Sequence, residues 1–77
     1  MKTEALEVRN HLVDFIMEYE DGELSDEGFL KLFSFLIETG QAWSLQGHYG
    51  RTAHALIDRG VIDHKGNINW SVIEDGE

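Results

Sequence analysis

The sequence contains no cysteine and no proline, and its 77 residues carry only six lysines and arginines against fifteen acids. Without cysteine there is no disulfide framework, no thiolate metal site and no thiol nucleophile, and nothing points to an oxidising compartment. Apolar runs reach two or three residues, far from the roughly 20 needed to cross a bilayer, and the stretch MKTEALEVRN lacks a secretory apolar region. The expectation is a soluble cytoplasmic protein with no membrane partner. A chain this short holds one core, so a single domain over 1–77 is expected and a multidomain enzyme is excluded. The formal charge is −9, yet 42% of the residues are hydrophobic, which is the share of a globular protein and not of a disordered acidic tail.

What is present is helical periodicity. Ala5, Val8, Leu12, Phe15, Ile16 and Tyr19 recur at three-and-four spacing and predict one amphipathic helix over 3–20. Leu6, Val13 and Met17 form a second apolar stripe on it, so this helix is expected to be central, or to meet another subunit in a homodimer. Gly22 ends it. Ser25, followed by Asp26 and Glu27, reads as an N-cap with first-turn acids, opening a second helix that Gly40 closes. Its inner face is Phe29, Leu30, Leu32, Phe33, Leu36 and Ile37. Ser34 falls on the solvated side, and Phe35 is left off the main face.

Residues 41–46 suggest one helical turn, broken at Gly47-His48-Tyr49-Gly50. A further helix over 51–59 places Tyr49, Ala53, Leu56 and Ile57 inside and Arg51, Thr52 and Arg59 outside. Residues 61–70 read as two short strands around a glycine-containing turn, and residues 72–77 as a frayed tail. Trp43, Tyr49 and Trp70 are expected to close the ends of the core. The fold class is thus mainly α, a compact three- to four-helix domain with a short C-terminal β-hairpin, loosely winged-helix-like.

Charge is unevenly spread. Residues 1–27 hold nine acids and two bases, whereas residues 28–73 hold three acids and four bases. Glu4, Glu7, Asp14 and Glu18 recur along one side of the first helix, with Asp21 and Glu23 just beyond, at steps of about 5 Å that approach the spacing of phosphates along a nucleic-acid strand. The plain alternative is a solvated face that keeps a small domain soluble. A different surface is offered by Arg51, Thr52, Arg59 and Lys65, the last at the tip of the expected wing, in the order of a winged helix-turn-helix. Net repulsion from DNA weighs against it. Arg51 has a quieter use open to it, reaching an acid of the first helix or stacking on Trp43 or Tyr49.

Catalysis finds no support. His11, His48, His54 and His64 lack metal-site spacing, His54 and Asp58 alone do not make a zinc site, and no serine lies in a nucleophile elbow. No enzyme activity, metal or cofactor is expected.

The run AWSLQGHYGRTAHALIDRGVI, residues 42–62, resembles a motif of small bacteriophage-encoded proteins of unknown function, with Trp43, Leu45, Gln46, Gly47, Tyr49, Gly50 and Arg51 matching its pattern. The resemblance covers about half of the chain. It implies a phage origin and a place in the bacterial host's cytoplasm, and it carries no biochemical role. Two functions remain. One is an accessory protein that binds a host protein with a basic surface, acting as an acidic nucleic-acid mimic or inhibitor through Glu4, Glu7, Asp14, Glu18, Asp21 and Glu23. The other is a small DNA-binding module built on the helix Arg51–Arg59.

Overall fold

A computed structural model describes the backbone of residues 3–71 and the side chains of residues 6–71; the tail expected to fray over 72–77 lies outside the described residues. Among the described residues four named helices follow one another: α1 (Thr3–Asn10), α2 (Leu12–Asp21), α3 (Asp26–Thr39) and α4 (Gly47–Asp58), with a 3-10 turn at Gln41–Trp43 between the last two.

The expected helix over 3–20 is two helices. At His11 the backbone leaves the helical region (φ −132°, ψ 33°), and its amide turns back three residues to the Val8 carbonyl at 3.1 Å. Neither proline nor glycine causes this break. Val8 on one side of His11 and Leu12, Phe15, Ile16 and Tyr19 on the other pack on the core, while the second apolar stripe, Leu6, Val13 and Met17, stays exposed.

The central element is α3, not the first helix. Leu30, Leu32, Phe33, Ser34, Phe35, Leu36 and Ile37 are all buried, whereas α2 has no fully buried residue. A helix enclosed on nearly every side needs apolar residues around most of its circumference, which is why Phe35 is interior. Its ends follow the sequence signals. Ser25 Oγ accepts the Gly28 amide at 3.1 Å, and Gly40 takes a left-handed φ of 83°. Gly22 closes α2 in the same conformation, with the Glu23 amide returned to the Glu18 carbonyl.

The Gly47–Gly50 stretch, expected as a turn, is the first turn of α4. Tyr49 and Ala53 are buried from there, with Leu56 and Ile57 half-buried. Of the three aromatics expected to close the core, only Tyr49 is interior; Trp43, with its ring 5.1 Å from His54, and Trp70 are exposed.

The C-terminal β-hairpin is absent. Among the described residues there is no strand, only an isolated antiparallel bridge between Ile62 and Ile68. Two backbone bonds flank that bridge, from the Asp63 amide to the Asn67 carbonyl at 2.9 Å and from the Asn69 amide to the Val61 carbonyl at 2.8 Å, and neighbouring groups are engaged in other ways. Asp63 Oδ1 accepts the amides of Lys65 and Asn67, and the Gly66 carbonyl accepts Ser34 Oγ from α3. The segment is a loop folded around the Asp63 carboxylate, with Ile62 buried beneath it. The winged-helix likeness falls with the hairpin.

Candidate functional site

Between Arg9 and Lys31 the chain contains no lysine or arginine, and it carries Asp14, Glu18, Glu20, Asp21, Glu23, Asp26 and Glu27. The fold sorts these acids. Asp26 and Glu27 occupy the first turn of α3, where negative charge complements the helix dipole. Lys31, one turn on, pairs with Glu27 at 3.3 Å and with Glu7 of α1 at 2.9 Å, bracing α1 to α3. The hydrogen bond to Glu7 foremost, against the opposing effect of burial, and then Glu27 hold the Lys31 ammonium above its ordinary range. A cleft of about 240 Å³ opens beside this pair, with Glu18 on its wall and Phe15 and Leu24 among its lining residues.

Glu20 is engaged at the other end of α2. Its carboxylate accepts the Tyr49 hydroxyl and lies 3.8 Å from His48 Nε2. The Tyr49 phenol is pushed well above its ordinary value, first by burial and then by the Glu20 hydrogen bond and charge. Tyr19, Phe33 and Tyr49 form one ring cluster beneath, with centroids 5.4–6.1 Å apart.

Asp14, Glu18, Asp21 and Glu23 are exposed and make no ion pair among the described residues. Asp14, Glu18 and Asp21 form an i, i+4, i+7 row on α2. The backbone of Glu4 lies in α1; its side chain is outside the described residues. Of the six acids expected to form one surface, Glu7 is thus tied down in an ion pair and four stand free in α2 and the connection after it.

The basic candidates do not converge on a wing. Arg51, Arg59 and Lys65 are exposed and Thr52 is half-buried. Arg51 folds back along α4, where a Cβ on Gly47 would lie 3.1 Å from its Nη1. Among the described residues, neither an acid of the first helices nor Trp43 or Tyr49 engages it. Among the described residues no group of three His, Asp or Glu could hold a metal ion, and no helix is long and apolar enough to cross a membrane.

Sequence reasoning missed the part played by Lys31 and the Tyr49–Glu20 contact. The Glu27–Lys31 half of the brace is visible as an i, i+4 pair; the Glu7 half spans 24 positions and leaves no local pattern. No curated protein and no solved structure matches the chain. Residues 8–75 match the family described as a domain of unknown function, DUF7417, and the chain belongs to that family.

Proposed function

We propose that this protein is a non-enzymatic accessory protein of phage type that binds a basic surface of a host protein, competing there with nucleic acid, through Asp14, Glu18, Asp21 and Glu23. One observation carries the reading. Glu18, Glu20 and Asp21 crowd the C-terminal turn of α2, which has no base, so they sit at the negative end of the helix dipole. Each acid in such a place costs about 0.3–1 kcal/mol. Asp14 and Glu18 add a like-charge pair one turn apart. Solubility alone requires no acid at that position; acids elsewhere on the surface serve it equally well. A charge held where it destabilises its own helix is explained by a partner that answers it.

The cytoplasm of the bacterial host is the compartment this reading implies. The test is capture of partners from a bacterial lysate by the wild type and by a D14N/E18Q/D21N/E23Q variant, with duplex DNA as competitor. The expected result is a partner displaced by DNA, released by raised salt and not retained by the folded variant. Equal retention by the variant counts against the reading. Retardation of duplex DNA by the protein itself at low salt would favour the alternative module using Arg51, Thr52, Arg59 and Lys65.

A further inference from the structure

Apolar side chains accompany the free acids. Val13 is 69% exposed and Met17 58%, although both stand on a helix whose other apolar residues pack on the core. They are one turn apart on α2. The row Asp14, Glu18 and Asp21 runs along one side of them, and Glu20 lies on the other. Leu6, on α1, is exposed as well. The face therefore alternates an apolar stripe with acidic margins along a helix of ten residues, about 15 Å.

Charge decides between occupants. A second copy of this chain laid on the same face would set acid against acid, because no lysine or arginine occurs between Arg9 and Lys31. A purely basic groove would answer the carboxylates and leave Val13 and Met17 uncovered. An occupant that satisfies both has bases and apolar side chains in separate rows, which is the pattern of an amphipathic helix.

We infer that the exposed face of α2 docks a basic amphipathic helix of a partner protein, its apolar row covering Val13 and Met17 and its lysines or arginines pairing with Asp14, Glu18 and Asp21. This rests on the function proposed above and names the form of the partner. Met17 suits the role, since an unbranched thioether adapts to differently shaped neighbours.

The probe is a synthetic peptide of about four helical turns with leucines along one face and lysines along the other, and an isomer of the same composition ordered so that no face is apolar. Binding to the full chain is followed by fluorescence anisotropy, and helix formation in the peptide by circular dichroism. The amphipathic peptide is expected to bind about tenfold more tightly than its isomer, the margin that burying two partly exposed side chains supplies. V13S/M17Q should erase that margin and leave the isomer's binding unchanged. D14N/E18Q/D21N should weaken both peptides. The single variants V13S and M17Q, each at an exposed site, serve if the double variant is not folded. Equal binding of the two peptides overturns the docked helix while leaving the acidic-face reading in place. Failure of both peptides to bind overturns the two together. Sedimentation of the wild type as a dimer that M17Q converts to monomer also overturns it, since a second copy would then cover the stripe.

Discussion

Ser34 and Gly66 meet where α3 supports the C-terminal loop, and neither tolerates its nearest substitute. Ser34 is 1% exposed and its hydroxyl donates to the Gly66 carbonyl. Ser34→Ala leaves that buried acceptor without its donor, at about 1–3 kcal/mol. Gly66 has a φ of 91°, and a Cβ there would lie 2.7 Å from the Ser34 carbonyl oxygen and 2.9 Å from Glu38 Cβ. Gly66→Ala adds left-handed strain of about 1–2 kcal/mol to an unavoidable displacement of the loop, so it should destabilise more than Ser34→Ala in urea titrations. A neutral Gly66→Ala would mean that the loop does not rest on α3. Tyr49 gives a pH-dependent counterpart. Its folded phenol holds its proton more tightly than a free tyrosine with its value of 10.0, so the contribution is whole below pH 10 and is lost as the pH rises beyond it. Tyr49→Phe should cost about 1 kcal/mol at neutral pH through the lost hydrogen bond to Glu20. Followed by urea unfolding from about pH 8 to about pH 12, the wild type should lose stability faster than the variant, the difference beginning near the free tyrosine's value.

At the scale of elements, α3 was legible from end to end because its signals are local. Ser25 caps it, first-turn acids follow, and Gly40 stops it. Ser25→Ala should therefore cost about 1 kcal/mol in thermal or urea unfolding, and Ser25→Asp should restore most of it. The break at His11 was not legible, because no residue there forbids a helix. The core-facing residues Val8, Leu12, Phe15, Ile16 and Tyr19 keep three-and-four spacing across it, so their periodicity reads as one helix. Ser34 and Phe35 were misplaced for a related reason: one-sided periodicity assumes one partner, whereas α3 is enclosed. The two glycines at Gly47 and Gly50 signal a turn, yet in the first turn of α4 they cost little, and the burial of Tyr49 between them favours the helix. In the last segment the alternation at Ile62 and Ile68 was correctly apolar, but Asp63 captured the neighbouring amides and left one bridge where a hairpin was expected. The acids of the candidate site were visible as charge. Which of them are free was not, because Lys31 and Tyr49 come from far along the chain to hold Glu7 and Glu20.

Over the whole molecule the charges work against the fold. The chain carries a formal −9, and the extents of 31 × 26 × 21 Å are comparable to the screening length of about 30 Å at about 10 mM salt, so at low salt the acids of the described residues repel one another across the fold. Unfolding relieves that repulsion, and added salt screens it in the folded state. Melting temperature should therefore rise between about 10 mM and about 0.5 M sodium chloride, the opposite of what a fold resting on surface ion pairs would show. D14N/E18Q/D21N removes a like-charge pair worth about 0.2–0.5 kcal/mol and two acids from the wrong end of the α2 dipole, so it should melt higher than the wild type at low salt and show a flatter salt response. A variant that melts lower, or a wild type indifferent to salt, would mean that the α2 acids are balanced within the fold. The same three carboxylates then give salt two opposite effects, strengthening the fold and weakening the grip on a basic partner, and the triple substitution should diminish both slopes together.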